Sequence, residues 1–248
     1  MRDVFIVREE MPIALRPFSI PRCAMRLFAF LLSLLTFVSG ANADGVRRIL
    51  FVGNSITLHR PAPDIGWTGN WGMAATAAEH DYVHLVVAGI SKRTGAKPES
   101  KVVNLADFER RFESYDLDAG LRDEVAFGAD TVVVALGENV PALEGAEHAA
   151  KFKSAVIRLL KRLDAGRGAK IYVRSCFWPD AEKDRALREA CAEVGGVFVD
   201  IGALGKEERN FARSERKIDH VGVAGHPGDA GMKAIANAIL DAMEKSAR

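Results

Sequence analysis

From residue 46 onward, short apolar runs that end at glycine alternate with stretches of helical periodicity, and this alternation strongly restricts the possible folds. The clearest apolar runs are residues 48–52 before Gly53 and residues 131–136 before Gly137. Apolar residues at helical spacing recur over 152–163 and 232–243. Continuous apolar strands that alternate with helices predict an α/β three-layer sandwich whose parallel sheet is covered on both faces.

Five strands are predicted, at residues 48–52, 82–88, 131–136, 170–174 and 197–200, with an additional helix over 71–79. Sheets of this kind bind ligands beyond the carboxyl ends of their strands. The residues that directly follow the predicted strands are therefore the first candidates for a functional site.

The first 43 residues have a different character from the rest of the chain. Met25 and Arg26 precede roughly a dozen apolar residues and an Ala41-x-Ala43 sequence, which is typical of a secretory signal peptide over 25–43. We expect cleavage after Ala43, export to the periplasm or the medium, and no stable membrane anchor afterwards, because a membrane span needs about 20 apolar residues. An uncut anchor is the alternative. Residues 1–24 fit no signal pattern, so a true start at Met25 is a hypothesis.

Residues 44–248 are long enough for one sizeable domain and do not require a second. The net charge of the chain is +1, which predicts no nucleic-acid partner. Cys176 lies at the end of a predicted strand, and Cys191 lies about three turns along the helix that follows. Their Cα atoms should exceed the disulfide limit of about 7 Å, so two buried, unpaired thiols are expected.

Three short motifs carry residues suited to chemistry. Gly53-Asn54-Ser55 follows the first strand, Gly137-Glu138-Asn139 follows the third predicted strand, and His226-Pro227 precedes the last amphipathic helix. Each has an ordinary reading when taken alone: a helix-capping serine, an asparagine turn and a solvated loop histidine. A serine at a strand end can also be a nucleophile, and a fixed histidine its base.

Taken together and in this order, the motifs resemble blocks I, III and V of the SGNH (GDSL-like) hydrolases, over roughly residues 47–243. The resemblance implies a flavodoxin-like fold with a five-stranded parallel sheet and a serine esterase that needs no cofactor. It implies Ser55 as the nucleophile, His226 as its base and Asn139 as an oxyanion donor beside the backbone N–H of Ser55. Asn54 stands where the familiar GDS form has Asp.

Two positions depart from the family pattern. Val223 stands where an Asp usually orients the histidine, so Asp219 is a candidate third catalytic residue, with a backbone carbonyl as the alternative. In the stretch 88–94, which resembles block II, the backbone N–H of Lys92 or of Gly89 is the candidate second oxyanion donor.

Aromatic residues near the predicted site, Trp71 and Trp178 in particular, are candidate substrate-binding residues, with core packing as the other reading. The metal-type side chains of Asp219, His220, His226 and Asp229 have no recognised spacing, so no metal is expected. A small-molecule ester is the expected partner.

Three functions remain open at this stage. An esterase is the first, acting on small esters such as acetyl groups of carbohydrate, with lysophospholipase or thioesterase-type acyl hydrolysis as the alternative substrate class. A non-catalytic glycan-binding protein is the second. Phosphate binding is the third and is disfavoured, because the first motif lacks the glycines and lysine of a phosphate loop.

Overall fold

The computed structural model describes residues 45–248, and in this part of the chain five strands form one parallel sheet in the order β2-β1-β3-β4-β5. The strands are β1 (Arg48–Gly53), β2 (Glu99–Asn104), β3 (Thr131–Ala135), β4 (Lys170–Arg174) and β5 (Val197–Val199). This is the flavodoxin-like order of a doubly wound sheet. The predicted α/β fold class and strand number are confirmed.

Helices cover both faces of this sheet. They are α1 (Tyr82–Thr94), α2 (Ala106–Arg110), α3 (Leu117–Gly120), α4 (Arg122–Phe127), α5 (Gly145–Asp164), α6 (Ala181–Glu193), α7 (Ala212–Glu215), α8 (Val221–Ala224) and α9 (Asp229–Ser246). On one face α1 packs against α9, and on the other α5 packs against α6. Successive residues of a strand point to opposite faces, so Leu50 joins the α5–α6 core whereas Phe51 joins the α1–α9 core.

The strand predicted at 82–88 is wrong, because this segment is the first half of α1. Asp81 caps the helix by accepting a hydrogen bond from the His84 backbone N–H at 2.8 Å. The buried residues recur at helical spacing, and they are Tyr82, Val83, Val86, Val87 and Ile90. The β-branched residues therefore fill one helical stripe, and tertiary burial overrides their preference for strands.

The second strand lies instead at the sheet edge. Its sequence, Glu-Ser-Lys-Val-Val-Asn, is polar over the first half, and none of its residues is fully buried. An edge strand exposed in this way lacks the apolar run that marks the central strands.

The helix predicted over 71–79 is also wrong. Ala74 has a φ of 73°, which a helix does not permit, and only Ala78–His80 forms a short 3₁₀ turn. The segment is a loop beside the candidate site, and Ala74 and Ala75 are buried as part of that loop.

Cys176 and Cys191 are both buried, and neither forms a disulfide with another residue of 45–248, as predicted. Burial raises the pKa of the Cys191 thiol to about 11. Within residues 45–248, no helix is long and apolar enough to cross a membrane. The predicted signal peptide and the alternative start at Met25 lie outside the described residues.

Candidate active site

The ends of β1 and β3, which are neighbours in the sheet, bring two of the predicted residues together. Strand order reverses here, because β2 lies on one side of β1 and β3 on the other, and such a switch point opens a crevice at the carboxyl edge. Ser55 follows β1 and Asn139 follows β3, and both line the same cleft. Gly137, which leads to Asn139, has a φ of 127°, and a Cβ atom there would lie 2.4 Å from the Cys176 Sγ atom. The turn after β3 therefore requires glycine.

Ser55 and His226 are in direct contact. The Ser55 Oγ atom lies 2.8 Å from His226 Nε2, and His226 Nδ1 lies 2.7 Å from the backbone oxygen of Gly222. A carbonyl oxygen can only accept a hydrogen bond, so Nδ1 carries the hydrogen. In the neutral ring Nε2 is then the acceptor and receives the hydroxyl hydrogen of Ser55.

Asp219, the candidate third catalytic residue, does not orient this histidine. Its side chain is 92% exposed and lies 3.8 Å from the Lys217 ammonium group. The backbone carbonyl of Gly222, in α8, takes the orienting position instead. A main-chain acceptor is available here because α8 ends after one turn and leaves carbonyl groups without helical partners.

The His226 ring is enclosed on another side by Trp178. The two rings meet edge to face with centroids 5.3 Å apart, and Trp178 Nε1 donates to the Gly225 carbonyl at 3.2 Å. Burial lowers the pKa of His226, although the hydrogen bond to Gly222 acts in the opposite direction. Trp178 therefore packs against the candidate base and is not among the residues that line the cleft.

The side chain of Asn139 is held by Glu109, a residue of α2. Asn139 Nδ2 donates to Glu109 Oε2 at 2.7 Å, and the backbone N–H of Gly137 donates to Oε1 at 2.6 Å. Asn54 Nδ2 donates to the same Oε1 at 3.2 Å. An amide nitrogen has two hydrogens, so Asn139 keeps one for a ligand in the cleft. Burial and the nearby charge of Glu138 raise the pKa of Glu109.

A buried ion pair lies beneath these residues. Arg174 Nη1 donates to Glu138 Oε1 at 2.6 Å, with both side chains at most 3% exposed, and Asn54 Nδ2 donates to Glu138 Oε2 at 2.7 Å. Burial raises the pKa of Glu138, but the charge of Arg174 together with the hydrogen bonds that the carboxylate accepts outweighs this effect, and the net pKa is lowered. Asn54 thus links the carboxylates of Glu109 and Glu138.

Replacing Glu138 with alanine is expected to lower the free energy of unfolding by about 3–5 kcal/mol, because it leaves the Arg174 charge buried without a counter-ion. Arg174 Nε and Nη2 already have no hydrogen-bond partner among residues 45–248. Urea unfolding of the wild type and of Glu138→Ala measures the difference. Glu147→Ala is the control, since the Glu147 side chain is 85% exposed and its removal should cost about 0.5 kcal/mol or less. Equal losses in the two variants would contradict the prediction.

The cleft around Ser55 has a volume of about 750 Å³. Besides Ser55, Asn139 and His226, the residues lining it are Leu58, His59, Arg60, Ile65, Asn70, Met73, Asn104, Ala106, Asp107, Arg110, His220, Gly222 and Val223. Trp71 lines a neighbouring cleft of similar volume, and its indole meets that of Trp67 edge to face.

The candidate oxyanion donors Lys92 and Gly89 do not reach this cleft. Both lie in α1, and neither is at a strand end. The error follows from the misplaced second strand, because the true β2 ends at Asn104. The backbone N–H of Ser55 donates to no protein atom among residues 45–248 and is free for a ligand.

Two contributors to the site, Glu109 and Arg174, were missed by the sequence analysis, and the backbone carbonyl that it gave as the alternative to Asp219 is that of Gly222. The segment around Glu109, Ala-Asp-Phe-Glu-Arg-Arg, has the charge density of an exposed helix. The one available signal for Arg174 is a charged residue at the end of an apolar strand. Within residues 45–248, no group of three or more His, Cys, Asp or Glu side chains is arranged to hold a metal ion.

Comparisons with known proteins give a likeness in structure alone. No family model matches the sequence, and no curated protein matches it. Among solved structures, the lipase/acylhydrolase from Enterococcus faecalis is similar with 15% identity and a TM-score of 0.49, covering 81% of this chain and 96% of that one. A putative GDSL-like lipase from Parabacteroides merdae has 18% identity and a TM-score of 0.48, covering 81% and 96%. An acetyl xylan esterase, AlAXEase, has 18% identity and a TM-score of 0.49, covering 79% and 98%.

The flavodoxin-like sheet order comes from the strand pairing of this chain itself. The three sequence motifs, far apart along the chain, come together at its carboxyl edge. The chain therefore has a doubly wound, flavodoxin-like α/β fold, and the three motifs that resemble those of the SGNH (GDSL-like) hydrolases meet at one edge of its sheet.

Proposed function

We propose that this chain is a serine esterase in which Ser55 is the nucleophile and His226 the general base. One observation carries the proposal: the 2.8 Å contact between Ser55 Oγ and His226 Nε2, with the other ring nitrogen fixed by the Gly222 carbonyl. A nucleophile in hydrogen-bond reach of a base that a third group orients is the arrangement nucleophilic catalysis requires.

In the proposed reaction, Ser55 Oγ attacks the ester carbonyl while His226 Nε2 takes the hydroxyl proton. The negative charge that develops on the carbonyl oxygen is met by the Ser55 backbone N–H and by the free hydrogen of Asn139 Nδ2. His226 then returns the proton to the departing alcohol oxygen, which leaves an acyl group on Ser55. Water, deprotonated by His226, releases the acid in the second half of the reaction.

The character of the cleft supports a polar substrate. Asn70, Asn104 and Asn139 line it together with Arg60 and Arg110, beside apolar side chains that include Leu58, Ile65 and Met73, so its wall is mixed and not purely apolar. This lining favours a short acyl group on a polar alcohol, such as an acetyl group on carbohydrate, over the lysophospholipase or thioesterase-type alternative. We also propose that the protein is exported, on the signal-peptide pattern over 25–43.

A fluorophosphonate ester, which phosphonylates activated serines, tests the proposal directly. We expect the full chain to gain one adduct on the peptide that contains Ser55, and to hydrolyse p-nitrophenyl acetate faster than the longer acyl homologues. Folded protein that neither labels nor hydrolyses any homologue would contradict the esterase and favour the glycan-binding alternative.

The pH profile of kcat/KM should have an acid limb below the ordinary histidine pKa of about 6.5. Burial disfavours the charged ring and lowers the pKa of His226, so the neutral base persists to a lower pH than in an exposed histidine. As the pH is lowered, kcat/KM should fall only when His226 becomes protonated, and just above the pKa of His226 it should not change with pH. Rates for p-nitrophenyl acetate between pH 4.5 and 8 measure the limb, and a midpoint above 6.5 would contradict the assignment.

A further inference from the structure

Two arginines of the cleft stand out because they have no acidic partner. Residues 45–248 contain 17 arginines, and 13 of them lie within 4 Å of a carboxylate oxygen in this part of the chain. The other four are Arg60, Arg110, Arg158 and Arg167. Two of these four, Arg60 and Arg110, line the cleft that contains Ser55. Neither guanidinium group therefore has a carboxylate of residues 45–248 within 4 Å.

The acidic residue in the lining, Asp107, forms no ion pair with either arginine. Asp107 directs both carboxylate oxygens to Arg111, which lies outside the lining, and this hydrogen bonding lowers the pKa of Asp107, to which the charge of Arg110 also contributes. The buried carboxylate of Glu138, below the cleft, is paired with Arg174. The two arginines of the lining are thus cationic side chains that have no ion pair within residues 45–248, and they are available to an anionic ligand.

The two arginines come from different elements that approach Ser55. Arg60 lies five positions after Ser55 in the loop that follows β1, and Arg110 ends α2, directly after Glu109. A concave wall with charges of one sign attracts and concentrates ligands of the opposite sign. Guanidinium groups also present paired donors that match the oxygens of a carboxylate, sulfate or phosphate.

We propose that the cleft selects esters that carry an anionic group, with Arg60 and Arg110 as the residues that hold it. This inference rests on the proposed esterase function and names its substrate class. The anion is a carboxylate, sulfate or phosphate on the acyl or the alcohol part of the ester, near enough to the ester carbonyl to share the cleft with Ser55.

Two matched pairs of substrates test this selectivity on the full chain. For the acyl side, p-nitrophenyl hydrogen glutarate is compared with neutral p-nitrophenyl valerate. For the alcohol side, 4-acetoxybenzoate is compared with its neutral methyl ester. Because the members of a pair differ in intrinsic reactivity, the readout is the anionic-to-neutral ratio of kcat/KM in each variant relative to that ratio in the wild type.

We expect Arg60→Gln and Arg110→Gln each to lower this ratio roughly three- to tenfold for at least one pair, and the double variant to lower it further. Raising the salt from 0.02 to 0.5 M should lower the wild-type ratio as well, because exposed charges are screened. Arg167→Gln is the control. Its arginine is also without a carboxylate partner in residues 45–248, but it precedes β4 at the opposite edge of the sheet.

The two proposals fail in different ways. Ratios that stay at the wild-type value in the double variant for both pairs, while the neutral esters are hydrolysed, overturn the anionic selectivity and leave the esterase intact. A folded chain that hydrolyses neither member of either pair overturns the esterase itself. A ratio that falls equally in Arg167→Gln also overturns the assignment to Arg60 and Arg110, because the effect is then one of overall charge.

Discussion

Replacing Ser55 with alanine is expected to lower kcat for p-nitrophenyl acetate by at least about 10⁴-fold. The loss of a serine nucleophile or its base costs on the order of 10⁶-fold in a serine hydrolase with a complete triad. The residual rate then comes from oxyanion donors and binding alone. The fold should be unaffected, because the Ser55 side chain is half-buried at the cleft and the hydrogen bond of its hydroxyl is to His226, another residue of the cleft.

The matched control for this variant is Ser91→Ala. The Ser91 hydroxyl donates to the Val87 carbonyl at 2.7 Å within α1, and Ser91 is outside the lining of the cleft. Steady-state rates and thermal unfolding of both variants separate a chemical effect from a structural one. Ser55→Ala retaining more than about a hundredth of the wild-type kcat would sink the assignment of the nucleophile.

His226→Ala is expected to cause a loss of the same order, because the serine hydroxyl is a weak nucleophile without a base to take its proton. Residues that act as a unit give non-additive losses. The double variant Ser55→Ala/His226→Ala should therefore be no more than a few times slower than either single variant. Losses that multiply would mean that Ser55 and His226 act independently, contrary to their 2.8 Å contact.

Asp219→Asn provides the comparison that separates a dyad from a triad. Because the Gly222 carbonyl holds His226 Nδ1 and Asp219 is exposed, this variant should retain kcat within about twofold of the wild type. A loss approaching that of an orienting aspartate, about 10⁴-fold in kcat, would show that Asp219 reaches the ring during turnover.

The parts of the site that sequence predicts are those attached to the central strands. β1 and β3 have buried apolar interiors, and a glycine ends β1 and follows β3 two residues later, so the positions of Ser55 and Asn139 at the carboxyl edge follow from pattern and topology. The role of each remains a prediction, although the geometry places them in one cleft with His226.

The parts that sequence misses depend on contacts made in three dimensions. The second strand is polar because it is an edge, and mistaking α1 for it displaced the expected oxyanion donor to Lys92 or Gly89. The Gly222 carbonyl has no signature in sequence, since every residue has one. In the sequence Glu109 cannot be distinguished from the charged residues beside it, and only its position in α2 places its carboxylate against Asn54 and Asn139.

The hydrogen bonds of Asn54 give a chemical reason for the residue that replaces the family's usual aspartate. Its amide nitrogen donates both of its hydrogens to acidic side chains, one to Glu109 at 3.2 Å and one to Glu138 at 2.7 Å. An aspartate in the same place would bring a third acceptor against two others, and all three would repel. We therefore expect the effect of a substitution at residue 54 to depend on which residues stand at positions 109 and 138. A sequence pattern that requires Asp before the serine does not match this chain. A search for variants of the motif should therefore consider residue 54 together with the acidic residues at positions 109 and 138.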